Sequence, residues 1–546
     1  MFGRKKQLLA GFRRRFGNNP LEEAWISQTR DRLPGIRVYY DRMEKQAGYD
    51  DYSIDDVTWS DLEMDEVFLR INHAQSYIGE QVLYEILRSG RSDHFRKNRE
   101  WMDHLSENED TRLELEYRLR GVGKRQESYY LPEFFRNAQL LKPGNPWIFR
   151  LLQIILAAAV LLAVIFRTMP FFIFLALSAG TNFIVYMIVK QKYDILLSSM
   201  GGLGKMLDLC EWCLGRKDLM LPDTETVRQG WQQLKGLRRK LGKFIFARQS
   251  SISGDPTGLL YEYLLGITMI DVARLSGILE MISKNREAIE ELYRFAGRLD
   301  AAVSILSFRA SLPGWTHPEI KDPCETQEDP PQGAASVTDG IRTAGLYHPL
   351  LKDPVCNDFD LKARAIITGA NASGKSTFMK ALAVNAVLAQ TIDTCCADSF
   401  SLPYIKVMTS MAIRDDVVTG ESYYVREVRY LKRMLDVIDS GVRTLCIIDE
   451  ILKGTNQKER LAASEAVLSY IARRPGFCVV ATHDLELVQK HKDHYDPYYF
   501  DSLIEEGNVS FTYRIRPGLG GDTNALALLK AFGFPGEILE EAHRLI

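Results

Sequence analysis

The sequence predicts a chain of two architectures: an all-α region over the first 320 residues and a layered α/β domain over residues 341–546. Three observations lead to this prediction. Apolar residues recur at helical spacing through long stretches rich in Glu, Lys, Arg and Leu. Two apolar segments, each about 20 residues long, interrupt these stretches. Beyond residue 340, short β-rich runs alternate with helical stretches, which is typical of strands and helices stacked in layers.

The composition is that of a globular protein with more than one domain. A chain of 546 residues exceeds the size of a single compact core and predicts roughly two to four domains. Its residues are 46% hydrophobic and 26% charged, with a net charge of −2, which neither supports nor excludes a nucleic-acid partner. The eight cysteines are scattered, and no apolar run follows the basic start as it would in a signal peptide. We therefore expect a reducing, cytosolic setting for the soluble parts.

Residues 1–19 are predicted to form a basic tail, because residues 1–17 contain six Lys or Arg residues and no acid. Two interpretations stay open. The tail is either a helix that lies on an anionic membrane surface or a solvated, partly disordered segment. In the first case an apolar stripe would contact lipid, and its members are Phe2, Leu8, Leu9, Phe12 and Phe16.

Helical patterning defines the next parts of the chain. We predict a helical core in two pieces, residues 20–146 and 191–320, with apolar residues at helical intervals. The two apolar segments separate these pieces. A stretch rich in Pro and acidic residues follows, and it predicts a linker over residues 321–340.

The apolar segments predict a transmembrane hairpin over residues 147–190. The first, 147–166, contains one charge near its end, and the second, 170–189, contains none. Each is long enough to cross a hydrocarbon core of about 30 Å at about 1.5 Å per residue. Only three residues separate them, so both outer ends must lie on the same side. A buried helical hairpin in a large soluble core is the alternative, although soluble helices rarely run this long without a polar face.

Flanking charges predict the orientation of this hairpin. Cationic residues cluster at its open end, whereas its tip carries a single one. Because the cytoplasmic flanks of membrane helices are enriched in Lys and Arg, the open end is expected to face the cytoplasm. The prediction is a two-helix, multi-pass protein of the cell membrane, with its N-terminus and its α/β domain in the cytoplasm. The residues are Lys142, Arg150, Lys190 and Lys192 at the open end and Arg167 at the tip.

The strongest local signal follows a short apolar run at residues 365–368. There the chain reads Gly-Ala-Asn-Ala-Ser-Gly-Lys-Ser, and a helical stretch begins near residue 377. A strand, a glycine-containing loop and a helix in this order form a P-loop, whose backbone N–H groups cradle phosphate oxygens at a positive helix end. Lys375 is expected to reach the β- and γ-phosphates of ATP, and Ser376 to supply a hydroxyl ligand to Mg²⁺. The predicted phosphate-binding residues are Gly369, Asn371, Ser373, Gly374, Lys375, Ser376 and Thr377.

Two further strand ends complete the predicted catalytic set. One buried-strand run ends in Asp449 and Glu450, and another ends two residues before His483. In P-loop ATPases an Asp at such a strand end holds Mg²⁺, and we expect the following Glu to polarise the attacking water. The predicted metal residues are therefore Ser376 and Asp449. The predicted catalytic residues are Glu450, Lys375 and His483, the last as a sensor of the γ-phosphate.

The order of these motifs is similar to that of ABC-type ATPases, and the segments between them resemble the MutS family in particular. The loop GANASGKST resembles the GPNMxGKST loop of that family. The stretch GESYYVRE at 420–427 resembles its GxSTFMxE segment, and DEILKGT at 449–455 resembles its DExGRGT stretch. Similar agreement is found in LYHPL at 346–350 and in the C-terminal segment from Phe511 onward.

The resemblance covers residues 345–546 well and the helical stretches 54–90 and 259–320 less closely. It implies ATP and Mg²⁺ as cofactors and a homodimer with composite sites, in which Ser422 of one subunit meets the ATP bound to the other. It also places Tyr513 where a side chain stacks on adenine. ATP would clamp the two subunits together, and its hydrolysis would release them and move the attached helical levers.

The chain also departs from the family pattern. We find no Phe-x-Glu wedge motif, expect no room for the mismatch-reading and connector domains, and place the hairpin where soluble members carry levers leading to a DNA clamp. Two functions stay open. One is an ATP-dependent clamp, related to DNA mismatch repair, that binds DNA without sequence specificity while anchored in the membrane. The other is a membrane-anchored conformational switch that acts on a protein partner without DNA.

Overall fold

The structure is a computed structural model, and it describes residues 2–545 apart from several short segments. The segments outside the description are 48–50, 139–140, 142–144, 223, 250–262, 322–339, 371, 412–422, 453–455, 506–507, 521–528 and 530–532. Most of the predicted linker therefore lies outside the described residues.

The N-terminal part of the described chain is helical. Its helices are α1 Phe2–Arg15, α2 Ile26–Ala47, α3 Asp56–Asp61, α4 Met64–Ile71, α5 Tyr77–Ser89, α6 His94–Lys97, α7 Arg99–Glu107, α8 Glu109–Val122, α9 Leu131–Asn137, α10 Pro146–Phe166, α11 Met169–Leu214, α12 Thr224–Gln249, α13 Ile270–Lys284 and α14 Arg286–Ala310. Short 3-10 helices lie at Pro20–Glu22 and Gln126–Tyr130.

Strands and helices alternate in the C-terminal part. The elements are β1 Glu319–Lys321, β2 Ile341–Leu346, β3 Asn357–Leu361, β4 Arg364–Thr368, α15 Lys375–Ile392, β5 Ser399–Pro403, β6 Lys406–Ser410, α16 Tyr423–Asp439, β7 Thr444–Asp449, α17 Gln457–Ala472, β8 Phe477–Ala481, α18 Leu485–His491, β9 Asp496–Glu505, β10 Asn508–Pro517 and α19 Gly536–Leu545.

The larger sheet places three strand ends side by side. Its strand order over the described residues is β10-β9-β4-β8-β7-β6, with parallel pairing except between β9 and β10. Strands β4, β7 and β8 are runs of buried, mostly apolar residues, as expected of parallel strands covered on both faces. Ile367 of β4 lies opposite Ala481 of β8, which in turn lies opposite Asp449 of β7. The three segments that follow these strands therefore begin at one edge of the sheet.

A second sheet and α15 complete the α/β part. This sheet has the order β1-β5-β2-β3 in the described chain. Helix α15 is buried almost throughout, and its apolar side chains join one continuous hydrophobic core with both sheets and with helices α4, α5 and α14. Burial of this kind is the main source of stability for such a helix, at about 25 cal/mol per Å² of apolar surface. The helical part and the α/β part therefore pack as a joined body.

The basic N-terminal segment forms α1 and packs against α8. Phe12 is buried, and the centroid of the Phe16 ring lies 3.8 Å from the guanidinium carbon of Arg112. Ion pairs add to this contact, since Lys5 Nζ lies 2.6 Å from Glu114 Oε2. Part of the predicted apolar stripe is therefore covered by the protein's own helix.

Helices α10 and α11 form the predicted apolar hairpin. The stretches Trp147–Phe166 and Met169–Tyr193 are long and apolar enough to cross a membrane by length and composition, and most of their residues are not buried in the structure. Helix α11 has non-helical backbone angles at Tyr193 and then continues to Leu214. Beyond this kink its residues, such as Met200 and Leu203, enter the helical core. One helix thus joins the apolar hairpin to the rest of the protein.

A buried carboxylate, Asp393, ties the end of α15 to the helical part. Arg99 donates from Nε and Nη2 to its two carboxylate oxygens at 2.7 and 2.6 Å, and His317 Nδ1 lies 2.7 Å from Oδ2. Arg309 Nη2 donates to the backbone oxygen of Asp393 at 2.9 Å. Burial alone would raise the pKa of Asp393, but the hydrogen bonds from Arg99 and His317 outweigh burial and lower the pKa.

We expect Asp393→Asn to lower the free energy of unfolding by about 3 kcal/mol, because it removes the carboxylate from a buried cluster of cations. Asn is nearly isosteric and tolerates the left-handed backbone here, where φ is 54°. Since folding lowers the pKa of Asp393, its contribution is complete above the ordinary pKa of 3.8 and is lost as the pH falls through the lowered value. The variant should therefore lose less stability than the parent on acidification in that range.

Urea unfolding of the protein, followed by tryptophan fluorescence, measures this effect. Asp360→Asn is the matched control, because Asp360 is 52% exposed and lies 3.6 Å from Arg342. Exposed pairs of this kind contribute at most about 1 kcal/mol. Equal losses in the two variants would contradict a stabilising role for the buried cluster.

Candidate nucleotide site

The loop between β4 and α15 has the backbone shape of a phosphate cradle. Gly369 and Gly374 have φ values of 143° and 104°, and Ala372 has a φ of 67°. Such angles turn neighbouring N–H groups toward one side, where they can meet an anion. A Cβ atom at Gly374 would lie 3.2 Å from Cδ1 of Tyr513, so the close approach of this ring also favours glycine.

The Lys375 side chain folds back along this loop. Its Nζ donates to the backbone oxygens of Gly369 at 2.7 Å and Ala370 at 2.9 Å, and the residue is buried. These bonds hold the ammonium group inside the loop. The positive charge is therefore already in position for an anion that the loop N–H groups bind.

Ser376 and Asp449 lie next to each other at the edge of the larger sheet. Ser376 occupies the first turn of α15 and Asp449 is the last residue of β7. The hydroxyl Oγ of Ser376 donates to Oδ2 of Asp449 at 2.6 Å. An oxygen pair of this kind suits Mg²⁺, which binds through one or two protein oxygens and completes its shell with water and phosphate. No cluster of three or more His, Cys, Asp or Glu residues able to hold a metal was found among the described residues.

Glu450 and His483 form the second pair at this edge. His483 Nε2 lies 3.1 Å from Glu450 Oε1. Glu450 has a left-handed backbone with φ of 61°, and its N–H donates to the oxygen of Ala481 at 3.0 Å. A left-handed conformation is costly for a residue with a long side chain, so the neighbouring strand end must hold it in place. The two side chains are thereby fixed beside the end of β8.

A cavity of about 320 Å³ opens next to the glycine loop. Asn357 stabilises one wall of this cavity. Its Nδ2 donates to the oxygen of Tyr513 at 3.0 Å, and its Oδ1 accepts from the N–H of Ile515 at 2.9 Å. Burial and the nearby Lys380 lower the pKa of His348 to about 4, so its ring is neutral at pH 7. The residues lining the cavity include Tyr347, His348, Asn357, Thr377, Phe500 and Tyr513.

Comparison with known proteins identifies the C-terminal third of the chain. Residues 365–546 match the family model described as MutS domain V. Over these residues the chain is similar to the MutS family. The match begins within β4 and includes the glycine loop and both side-chain pairs at the sheet edge.

Individual MutS relatives agree with this assignment. The DNA mismatch repair protein MutS of Natronomonas pharaonis is 27% identical over 288 residues, which are 51% of this chain and 31% of the relative. The proteins of the same name from Lactococcus lactis subsp. cremoris and Streptococcus sanguinis are 28% and 29% identical over 272 and 267 residues. These two alignments cover 47% of this chain and 31% and 30% of the relatives. The matched region thus spans about a third of each MutS relative's length.

The residues of this glycine loop fit a nucleoside triphosphate with Mg²⁺. The donor set combines a lysine ammonium, backbone N–H groups and a hydroxyl, which together suit phosphate oxygens. The Ser373 hydroxyl is buried and has no hydrogen-bond partner among the described residues. A buried hydroxyl without a hydrogen-bond partner costs free energy. A phosphate oxygen bound at this loop can accept a hydrogen bond from the Ser373 hydroxyl after a small shift.

The sequence-predicted residues of this site fall into four groups. Gly369, Ser373 and Gly374 lie in the loop between β4 and α15. Lys375, Ser376, Asp449, Glu450 and His483 converge on the edge of the larger sheet. Thr377 and Tyr513 line the adjacent cavity. Asn371 and Ser422 lie outside the described residues.

Sequence reasoning did not single out Asn357 or Phe500. Asn357 acts through Tyr513 and Ile515, more than 150 residues away, and Phe500 packs near Gly369 and Gly374. Neither residue belongs to a local motif. Only contacts between distant segments reveal their positions.

Proposed function

We propose that this protein is a MutS-like ATPase that hydrolyses ATP with the help of Mg²⁺. The main support for this proposal is that two side-chain pairs, Ser376 with Asp449 and Glu450 with His483, lie beside a loop shaped for phosphate. One pair suits a metal ion, and the other suits activation of water. The relatives that share this region are named as DNA mismatch repair proteins, which supports a MutS-like activity in general.

Each residue has a distinct role in this proposal. Lys375 and the loop N–H groups bind the phosphates, and Ser376 and Asp449 hold the metal. When bound, Mg²⁺ neutralises phosphate charge and fixes the geometry of the transferred group. Glu450 accepts a proton from the attacking water, while His483 orients the carboxylate and senses the γ-phosphate. Tyr513 faces the cavity in which the adenine ring would sit.

We further propose that the active unit is a homodimer anchored in the membrane. Ser422 of one subunit would complete the ATP site of the other, as the family resemblance implies. The hairpin α10–α11 would cross the membrane, with the N-terminus and the ATPase part in the cytoplasm. Two observations support the anchor: the hairpin is long enough, and its outer surface is apolar and exposed. Helix α11 would then transmit movement between membrane and core, since it belongs to both.

The proposed partner of this clamp is DNA, bound without sequence specificity. Salt-dependent binding of duplex DNA by the detergent-solubilised protein tests this partner. Affinity should fall steeply between about 50 and 200 mM salt, because phosphate contacts release counterions. A neutral polymer of similar length serves as the control ligand.

A second candidate is a membrane-anchored switch that acts on a protein partner and does not bind DNA. The observation that favours it is the apolar hairpin, which occupies the helical region that family resemblance assigns to DNA-directed levers. Absence of DNA binding at low salt, in a preparation that still hydrolyses ATP, would reject the clamp and support the switch.

A further inference from the structure

The chain breaks its helical course just before α13, beside the apolar hairpin. Residues 263–268 are helical, Met269 has a left-handed φ of 50°, and α13 starts at Ile270. A break of this kind leaves carbonyl groups near the helix end without partners in the helix. Those of Ile267 and Thr268 lie at this break. We call residues 263–270 the apolar turn.

Two amide side chains from the hairpin satisfy these carbonyls. Nδ2 of Asn182 donates to the oxygen of Ile267 at 2.9 Å, and Nε2 of Gln153 donates to the oxygen of Thr268 at 2.9 Å. Asn182 is fully buried. Both donors therefore come from the predicted spans, one from each helix of the hairpin. This contact accounts for the presence of the two amides in segments that are mostly apolar.

The position of these donors sets the depth of the turn relative to the spans. Gln153 lies six residues inside the start of the first span at Trp147, and Asn182 lies eleven residues before the end of the second at Tyr193. At about 1.5 Å per residue, these positions are about 9 and 16 Å from the open end of the hairpin. Water does not reach that depth in a bilayer, so the backbone carbonyls at a helix break need hydrogen-bond donors from the protein.

The inner side of the turn packs tightly on the hairpin. Leu265 and Met269 join a small hydrophobic cluster with Phe149 and Tyr186. A Cβ atom at Gly266 would lie 2.6 Å from Cδ2 of Phe183, so only glycine allows the backbone this close to α11. Small residues serve the same purpose where helices approach each other in membranes.

The outer side of the turn is apolar and exposed. Tyr263, Leu264 and Ile270 are 55%, 50% and 37% exposed. No Asp, Glu, Lys or Arg occurs among residues 263–270. This surface is continuous with the hairpin, because the ring of Tyr263 stacks on that of Phe183 with centroids 5.4 Å apart. The medium that surrounds the exposed face of the hairpin therefore also surrounds the outer side of the turn.

We infer that the apolar turn is a third membrane-embedded element, which enters the bilayer from the cytoplasmic side and returns to it through α13. Eight residues of helix extend about 12 Å and cannot cross a hydrocarbon core of about 30 Å. Re-entrant backbone is tolerated at such depth where protein groups satisfy it, which is what Asn182 and Gln153 do. This inference rests on the proposed membrane insertion of the hairpin.

The consequence is a second link between membrane and nucleotide site. Helices α13 and α14 lead from the turn to Arg309, which donates to the backbone oxygen of Asp393 at the end of the P-loop helix α15. The hairpin reaches the core through α11, whereas the turn reaches α15 through α14. Both elements would move together because their amide contacts join them.

Spin labels report the depth of the turn in proteoliposomes of phosphatidylethanolamine and phosphatidylglycerol. The background replaces Cys324 and Cys356 by Ser, because the remaining six cysteines are buried. The label is placed by Leu264→Cys, with Ile154→Cys as the membrane reference and Leu351→Cys as the aqueous reference; these three positions are 50%, 64% and 46% exposed. Collision rates with oxygen and with a water-soluble nickel chelate are compared at each position.

We expect the oxygen-to-nickel ratio at position 264 to match that at 154 and to exceed that at 351 several-fold. Adding Asn182→Leu should lower the ratio at 264 toward that at 351, because the Ile267 carbonyl then has to reach water. Thr181→Val is the matched control on the outer face of α11, where the threonine hydroxyl donates to the Leu177 oxygen of its own helix at 2.9 Å, and it should leave the ratio unchanged.

The outcomes separate this inference from the proposed membrane anchor. A water-exposed label at 264 together with a lipid-exposed label at 154 would overturn the embedded turn and leave the hairpin proposal standing. Water exposure at both positions would overturn the membrane anchor itself. An unchanged ratio in the Asn182→Leu protein would overturn the role assigned to the amide.

Discussion

Replacing Glu450 by Gln is expected to slow ATP hydrolysis by at least about 100-fold while ATP still binds, because a positioned general base contributes about that much. The amide keeps the shape of the carboxylate but cannot take a proton from the attacking water. It can still bond to the His483 ring, whose Nε2 lies 3.1 Å from Glu450 Oε1 in the parent protein. Phosphate release measures hydrolysis, and titration with a fluorescent ATP analogue measures binding.

The same variant should accumulate as a dimer in ATP, because the clamped state would persist when hydrolysis stalls. Size-exclusion chromatography in detergent, with ATP or ADP in the buffer, follows this change. Glu486→Gln is the matched control, since Glu486 is 63% exposed and pairs with Lys490 at 3.0 Å on α18. A normal turnover rate in the Glu450→Gln protein would show that another group acts as the base.

Replacing Lys375 by Ala is expected to weaken ATP binding by at least about 100-fold, or about 3 kcal/mol, because a buried charge opposite the phosphates is lost. In the parent protein the ammonium group donates to the oxygens of Gly369 and Ala370 at 2.7 and 2.9 Å. Removing it takes away the loop's cation and both of these bonds. Isothermal titration calorimetry with ATP and Mg²⁺ measures the loss.

Lys380→Ala provides the matched control on the same helix. Lys380 Nζ donates to Glu63 Oε1 at 2.8 Å and has no bond to the described residues of the loop, so ATP affinity should stay close to that of the parent. Circular dichroism checks that both variants retain their helix content. Parent-like ATP affinity in a folded Lys375→Ala protein would refute the assignment of this loop as the phosphate site.

Much of the candidate site was predictable because its residues belong to short motifs next to buried strands. The apolar run before Gly369 corresponds to β4, and the run before Asp449 corresponds to β7. In parallel sheets the carboxyl ends of strands meet at one edge, so residues from both segments were expected to approach each other. The 2.6 Å contact between Ser376 and Asp449 matches that expectation. The roles of these residues in ATP binding and hydrolysis remain predictions for the experiments above.

Other features of the site were not predictable, because their partners are far apart in sequence. The position of Tyr513 depends on a bond from Asn357, and that of α15 depends on Asp393 and its contacts with Arg99 and Arg309. No spacing rule links residues separated by 80 to 300 positions in this way. The left-handed backbone of Glu450 could not be predicted from the sequence either, since it depends on the bond to the oxygen of Ala481.

For the hairpin, too, the sequence predicts the helices but not the contacts that they make. Two uncharged or nearly uncharged stretches are visible in the sequence, and the structure has helices there at Pro146–Phe166 and Met169–Leu214. Nothing in the sequence around Gln153 and Asn182 indicates a partner for their amides. Their hydrogen-bond partners in the apolar turn are about 85 and 115 positions away in the chain, so only the folded structure shows these bonds.

The sequence by itself determined the helical and layered parts of the chain, the apolar hairpin and the MutS-like order of motifs. These features follow from local periodicity and from short segments whose geometry depends on neighbouring residues. Only the tertiary structure decided how α8 covers part of the apolar stripe of α1, how Asp393 joins two parts of the protein and how the turn at 263–270 is held. Such contacts depend on the packing of the whole core, which satisfies buried polar groups across long distances in the chain.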